Sequence, residues 1–362
     1  MFVTDLRPLP ARPNLEQYKK QAKDLVKDFR TAAYQTKARA ARLLERVPER
    51  LTLSVAQLII AREHGFASWP KFAAHVKALQ IEDSPAAAFE AAAGAIARGE
   101  IELLQHLLRA NPRIVFQRSA RSHAAALLHY TAANGVEDFR QKTPPNIVAI
   151  ADALLKAGAP VDAVAPIYGG STALSLAASS VHPERAGVQI DLLQLLLEGG
   201  AAIDGVPGSA NPILSALRNG RGRAAQFLAG RGARLDLESA LGTGRIDALR
   251  ETLQRGEYTL EQWKSGLAWA CEYGHARAVE YVLERGSDPN ELIFGQTPLH
   301  WAAMSAQHEI VRLLLDRNAL PQIRNRYGAT ALGQARWSAE HDDDPTRFEP
   351  VIALLASAEA AS

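Results

Sequence analysis

Two short apolar stripes at helical spacing, separated by a polar break, recur along most of this chain. The clearest pair lies in the C-terminal third. Leu299, Ala302 and Ala303 share one face of a short helix, and Ile310 to Leu315 supply a second. Ser305-Ala306-Gln307 separates them. Thr297 is a good helix cap, and Pro298 takes the first helical position, where its missing N–H costs nothing. Each helix is about two turns long, and such a pair buries its apolar face only against neighbours of the same kind.

Those neighbours are readable. Gly328-Ala329-Thr330-Ala331-Leu332 repeats Gly295-Gln296-Thr297-Pro298-Leu299 at an offset of 33 residues. Residues 267–275 match the first-helix region and 278–286 the second. The same pattern, degenerate but in register, predicts eight units. Unit one runs from Ser84 through Phe89 to Leu108. Unit two holds Leu128 to Gly135, then an insert at 136–146, then a helix over 147–156. Unit three is 171–178, an insert at 181–187 and a helix over 191–197. Unit four is Asn211-Pro212-Ile213-Leu214 with a short helix at 224–228. Unit five, 237–253, is little more than two helices. Units six and seven are regular. Unit eight starts at Tyr327, carries the acidic insert His341-Asp342-Asp343-Asp344-Pro345 and closes over 351–355. Leu174, Leu214, Leu267 and Leu299 are the predicted spine. Gly158, Gly200, Gly232 and Gly286 close second helices, and the Asp, Asn and Pro residues after them open turns.

The period and the Thr-Pro-Leu-His sequence at 297–300 resemble the ankyrin repeat family. The resemblance implies an all-α fold, an α-solenoid with short β-hairpin loops. The array would fill 84–360, each unit packing only on the next, with an elongated concave face. It also implies a non-enzymatic scaffold that binds a protein partner through hairpin tips and the exposed ends of first helices. Carried over position by position, the contact residues are Glu261, Gln262, Lys264, Glu272 and Tyr273 in unit six. In unit seven they are Ile293, Phe294, Gln296, Met304 and Ser305. In unit eight they are Arg326, Tyr327, Ala329, Trp337 and Ser338. Tyr130 and Tyr168 are weaker candidates. Aromatic, Met and Arg side chains of this kind are enriched at interface hot spots. The inserts of units two, three and eight all fall between first and second helices, so they project from one edge.

Residues 1–80 read differently. They carry 15 Lys and Arg against 7 Asp and Glu, while the whole 362-residue chain has a net charge of only +2. Pro8, Pro10 and Pro13 give an extended lead-in, and Asn14 with Gln17 caps a helix whose apolar stripe is Leu15, Tyr18, Ala22, Leu25, Val26 and Phe29. Further helices are expected over 36–47, 54–64 and 68–79, with Gly65 ending the third and Phe66, Trp69 and Phe72 in the core. This segment is similar to the helical lead-in of many bacterial ankyrin proteins, through Leu9-Pro10-Ala11-Arg12-Pro13-Asn14-Leu15 and Ala61-Arg62-Glu63-His64-Gly65-Phe66-Ala67-Ser68-Trp69. Ala61, Gly65 and Phe66 also stand at helix-turn-helix spacing. Pro70 interrupts that motif, leaving Lys71, His75 and Lys77 to reach base edges. The alternative reading is therefore a nucleic-acid-associated adaptor using residues 1–80.

Little else points to chemistry. The single cysteine, Cys271, excludes an internal disulfide and aligns with the packing position of Ala303. Trp269 and Trp301 take the same place in successive units, as inter-repeat contacts. His129 and His300 share a turn-holding position. The His341 to Asp344 run is a solvated loop tip rather than a metal site. No phosphate loop, metal spacing or nucleophile–base set stands out, so no cofactor and no catalytic residue are expected. Asp5 and the prolines argue against a secretory signal, and no apolar run is long enough for a membrane helix. A cytoplasmic monomer is expected, with no deep polar cleft between the leading helices and the array.

Overall fold

The computed structural model describes residues 6–10, 12–31, 34–81, 84–256 and 258–361; Asp5 and Ala11, used above, lie outside them. The chain divides into two compact units, 1–215 and 216–362, described in turn.

The first unit opens with four helices: α1 (Leu15–Arg30), α2 (Tyr34–Leu43), α3 (Leu53–Glu63) and α4 (Trp69–Leu79). Tyr18, Ala22, Leu25 and Phe29 bury one stripe of α1 against Phe66, Phe72 and Val76. Tyr18 meets Phe72 edge to face at 4.9 Å. Trp69 only rests on this core, half-buried. Asn14 caps α1, but it takes the N–H of Glu16 (2.9 Å). The second helix stops at Leu43, short of the expected Val47. Val47 precedes Pro48, which disfavours helical backbone there, and Arg62 captures the freed Leu43 carbonyl at 2.6 Å. Gly65 does end the third helix, with φ of 84°. A Cβ there would press on Arg121 and Leu6, each 3.2 Å away, so this glycine also permits a close approach.

Three helix pairs follow: α5 (Pro85–Arg98) with α6 (Ile101–Ala110), α7 (Leu127–Tyr130) with α8 (Ile147–Lys156), and α9 (Ala173–Ser179) with α11 (Gln189–Glu198). Between the last two lies α10 (Val181–Arg185), an ordered turn inside the expected insert. First helices stack in the order α5, α7, α9, and second helices in the order α6, α8, α11. Caps explain the sharp starts: Ser84 accepts from Ala87 N–H and Thr172 from Ser175 N–H. Phe89, Leu128 and Leu174 are buried between the layers.

α12 (Pro212–Arg218) straddles the division between the units. Here the spine position is Ile213, which is fully buried, whereas Leu214 is only half-buried. Asn211 and Pro212 take the Thr-Pro places, so the next residue, Ile213, is the one aligned with Leu299.

The second unit continues with α13 (Gly222–Gly230), α14 (Leu237–Gly242), α15 (Ile246–Arg255), α16 (Leu260–Glu272), α17 (Ala276–Leu283), α18 (Pro298–Met304), α19 (His308–Asp316), α20 (Ala331–Glu340) and α21 (Glu349–Ala361). α14, α16, α18 and α20 stack as one layer, and α17, α19 and α21 as another. Leu267 and Leu299 are buried in it. Counting pairs across the chain gives the eight units. The loops between units hold single β-bridges, Arg118–Ala126, Ala165–Ser171 and Ile293–Gln296, rather than extended strands. The fold class is an all-α solenoid, and the first unit also holds the four-helix bundle of α1 to α4.

Candidate functional site

Ile293 and Gln296 exchange backbone hydrogen bonds of 2.7 and 3.1 Å, which close a two-residue turn over Phe294 and Gly295. Both central residues have positive φ, 54° and 80°. Glycine tolerates this freely, but a bulky aromatic does so only under strain. The turn therefore aims the Phe294 ring outward, 49% exposed. Its inner face stacks on Trp269 at 5.9 Å, and its edge meets Trp301 at 6.5 Å. Tyr168, with φ of 51°, repeats this device at a hairpin tip of the first unit.

The next tip is built differently. Asn325 is buried and its side-chain oxygen accepts from the N–H groups of Tyr327 (3.0 Å) and Ala329 (3.1 Å). This Asx-type turn presents Tyr327, 71% exposed, beside Arg326, whose guanidinium lies 4.8 Å from the ring centre. Arg326 N–H donates to the Gly295 carbonyl at 2.9 Å, tying the two tips together. A side chain at Gly295 would collide with Arg326, with Cδ 2.9 Å from the added Cβ. Farther along, Trp337 is 58% exposed and stacks on His341 at 4.3 Å.

Not every expected contact residue reaches the surface. Ile293 and Gln296 are 2% and 6% exposed, because the bridge that orders the tip turns their side chains inward. Gln262 closes a capping box with Thr259 and donates to Asp236 at 3.1 Å. The Tyr273 hydroxyl donates to the Leu217 carbonyl. Lys264 is paired with Glu291 at 2.5 Å. Met304, Ser305 and Ala329 are half-buried, Ser338 is buried, and Glu261 is exposed. Glu272 is half-buried; burial raises its carboxyl to about 7, against a smaller opposing pull from Arg221. Tyr130 is buried outright and offers a partner nothing.

The polar residues of the repeats hold backbone. His129 accepts from Ala126 N–H at 3.1 Å and donates through Nε2 to the Ser171 carbonyl of the next unit at 3.3 Å. His300 does the same toward Ala329 at 3.0 Å. Burial, only partly offset by these bonds, lowers His129 to about 4. Trp269 and Trp301 meet edge to face at 5.6 Å; their ring N–H groups donate to Glu238 and to the Ile293 carbonyl. Arg218 clamps that same Glu238 through two bonds, of 3.1 and 2.8 Å. Cys271 is buried, and burial pushes its thiol well above the usual range. Among the described residues no three acidic, His or Cys side chains gather as a metal site.

One arrangement lay outside the sequence reading. Within the first unit an open groove of about 680 Å³ lies between the leading helices and the loops of units two and three. Leu43, Arg62 and Phe66 line one side, with His123, Asp138 and Tyr168 on the other. The groove is open and its lining is more apolar than polar, so it is not a deep polar cleft. The loops that form it are two hairpin loops between units and the insert of unit two, whose folded course the repeat pattern does not encode. Ser122 and His123 do not act together there. The Ser122 hydroxyl donates to the Gly65 carbonyl (3.0 Å), and His123 accepts from Ala125 N–H (3.1 Å) while its other nitrogen faces Glu137 at 3.6 Å.

Behind the groove sits a buried charge network. Arg121 bonds Glu90 and lies 2.9 Å from Glu137; Arg140 reaches the same two carboxylates at 2.7 and 3.0 Å. Arg121 also donates to the His64 carbonyl at 3.2 Å. Burial alone raises the Glu137 carboxyl, but Arg121, the His123 ring and Arg140 outweigh it and bring it down to about 2. The network joins α3 and α5 to the insert of unit two. His75, a candidate for base contacts, is buried against Glu90 at 3.3 Å and is not available to a duplex.

Comparison with known proteins finds ankyrin repeats in part of the chain. The family model of ankyrin repeats (3 copies) matches residues 267–344. A stretch of 168 residues, 44% of this chain but 6% of the relative, is 30% identical to the E3 ubiquitin-protein ligase hecd-1 of Caenorhabditis elegans. A putative ankyrin repeat-containing protein of Treponema pallidum is 28% identical over 149 residues, covering 41% of this chain and 43% of that protein. The chain thus spans less than half the length of these curated relatives. The human ASB11 ankyrin repeat domain aligns over 73% of this chain and 96% of its own, at 24% identity and a TM-score of 0.39. With helix pairs stacked within each unit and the family's own sequence pattern over 267–344, this chain carries ankyrin repeats.

Proposed function

We propose that this chain is a non-enzymatic scaffold that captures a protein partner on the hairpin tips and first-helix ends of units six to eight. Ankyrin repeats as a class mediate protein–protein interaction. The observation that carries the assignment is the outward presentation of Phe294, Tyr327 and Trp337 from consecutive units. A soluble protein gains nothing for its own core by exposing three large aromatics, and such side chains dominate binding energy where they are desolvated. The tips are held by their own hydrogen bonds, so little ordering entropy is lost on docking. In this reading residues 1–80 form a leading domain and 84–360 the array, acting as a cytoplasmic monomer. No described helix is long and apolar enough to cross a membrane.

The test is capture from lysate by the full chain and by a Phe294→Ala/Tyr327→Ala/Trp337→Ala variant. Retained helicity with loss of the captured protein supports the reading. Undiminished capture would sink it.

A further inference from the structure

We infer that the paired tips of units seven and eight take an acidic, extended protein segment. Its Asp or Glu carboxylates would lie on Arg324 and Arg326, and an apolar side chain on Phe294 and Tyr327. The inference rests on the reading above and narrows it to one chemistry.

Charge distribution within the second unit favours it. Elsewhere in the unit, basic side chains near the tips already hold carboxylates: Lys264 has Glu291, and Arg218 has Glu238. Arg324 and Arg326 differ. Both are exposed, and among the described residues no carboxylate stands within 4.0 Å of either. They flank one residue, the buried Asn325, so both guanidiniums spring from one tip.

The two cations are also positioned. Arg324 donates one Nη1 hydrogen to the Gly328 carbonyl at 2.7 Å, which fixes the plane and leaves its other donors outward. Arg326 is laid against the Tyr327 ring and over Gly295. A guanidinium stacked on an aromatic keeps its fork of donors free for bidentate carboxylate bonds. Arg rather than Lys at both places suits planar carboxylate recognition.

The third observation is strain. Phe294 sits in left-handed backbone at a place where Asn or Gly would fit without strain. Its ring rests on Trp269 and Trp301, and its own tip is tied to the next one by the Arg326 N–H donating to the Gly295 carbonyl. Strained residues that persist in a well-braced turn mark functional surfaces. The result is an apolar ring beside two unpaired guanidiniums, which complements a segment with an acidic residue next to an aromatic or aliphatic one.

The test uses the full chain and fluorescence anisotropy. The probe is a fluorescein-labelled peptide of alternating Asp and Glu with one central Phe. A second peptide carries Lys in place of every acid, and a third probe is an oligothymidylate. Binding of the acidic peptide below about 1 mM is expected. It should weaken at least about tenfold in Arg324→Glu/Arg326→Glu and in Phe294→Asn, and as salt rises from about 50 to about 300 mM. The inference is overturned by no binding, by equal binding of the Lys peptide, by indifference to the Arg reversals, or by tighter oligothymidylate binding at the same arginines. If the lysate partner still depends on Phe294, Tyr327 and Trp337 while the acidic peptide fails, only the acidic assignment falls. If neither depends on the tips, the scaffold reading falls with it.

Discussion

His300 in unit seven donates to the carbonyl of Ala329 in unit eight across 3.0 Å, while its other ring nitrogen receives the Thr297 N–H at 3.3 Å. One imidazole thus closes its own helix cap and fastens the next hairpin. His129 repeats the arrangement between units two and three, more deeply buried. Replacing either by Ala strands a buried carbonyl and a cap N–H, so His129→Ala should cost about 2–4 kcal/mol and His300→Ala somewhat less. Urea titration of each variant checks the order.

Both histidines are kept neutral by burial, which sets the direction of their pH dependence. His129 falls from 6.5 to about 4 on folding. Below 6.5 the unfolded chain takes up a proton that the folded chain refuses. The contribution is therefore whole above 6.5 and is lost as pH drops through about 4. Stability should decline over that interval by on the order of 3 kcal/mol from this group, and less steeply in His129→Gln. A flat profile between pH 6.5 and 4 would contradict the burial.

The carboxylates act lower on the scale. Glu137 moves from 4.5 to about 2, so its contribution persists above 4.5 and disappears as pH falls through about 2. Removing its partner is harsher at any pH. Arg121→Ala should destabilise by about 3–5 kcal/mol, because two buried carboxylates lose a shared cation. Adding Glu137→Leu should return part of that loss, which a double-mutant cycle by calorimetry measures.

Glu272 runs the other way. Burial raises it from 4.5 to about 7, so its contribution is present below 4.5 and is lost as pH rises through about 7. Glu272→Gln should leave stability unchanged near pH 4 and raise it at pH 8 by on the order of 2–3 kcal/mol. Thermal melts at the two pH values decide this.

Phe294→Asn separates fold from recognition. Relief of left-handed strain gains about 1 kcal/mol, and loss of the stack on Trp269 costs about as much. The melting temperature should barely move. A fall matching a core deletion would show that the ring is structural.

Much of this molecule is legible from its residues alone, for identifiable reasons. Helix starts were readable because Thr172, Thr297 and Thr330 carry their own cap oxygens. The stacking faces were readable because small and aliphatic residues recur at one spacing. The register slipped at unit four, where Asn211 replaces Thr and two aliphatics, Ile213 and Leu214, follow Pro212. The hairpin residues Ile293 and Gln296 were placed outside because a tip looks uniformly exposed, whereas a bridge alternates in and out. The charge network had no local signal. Glu90, Arg121, Glu137 and Arg140 come from a helix, a loop and an insert, and nothing in their spacing announces that they meet.

That four-residue lock has a bearing on how such chains are cut and recombined. Arg121, from a hairpin loop of the array, grips the His64 carbonyl and Glu90 together. A truncation at residue 81 would open one wall of it to water while leaving its charges behind. Anyone grafting the leading helices onto a foreign array would have to transplant the 118–141 loops with them, so the natural splice point of this chain falls beyond unit two.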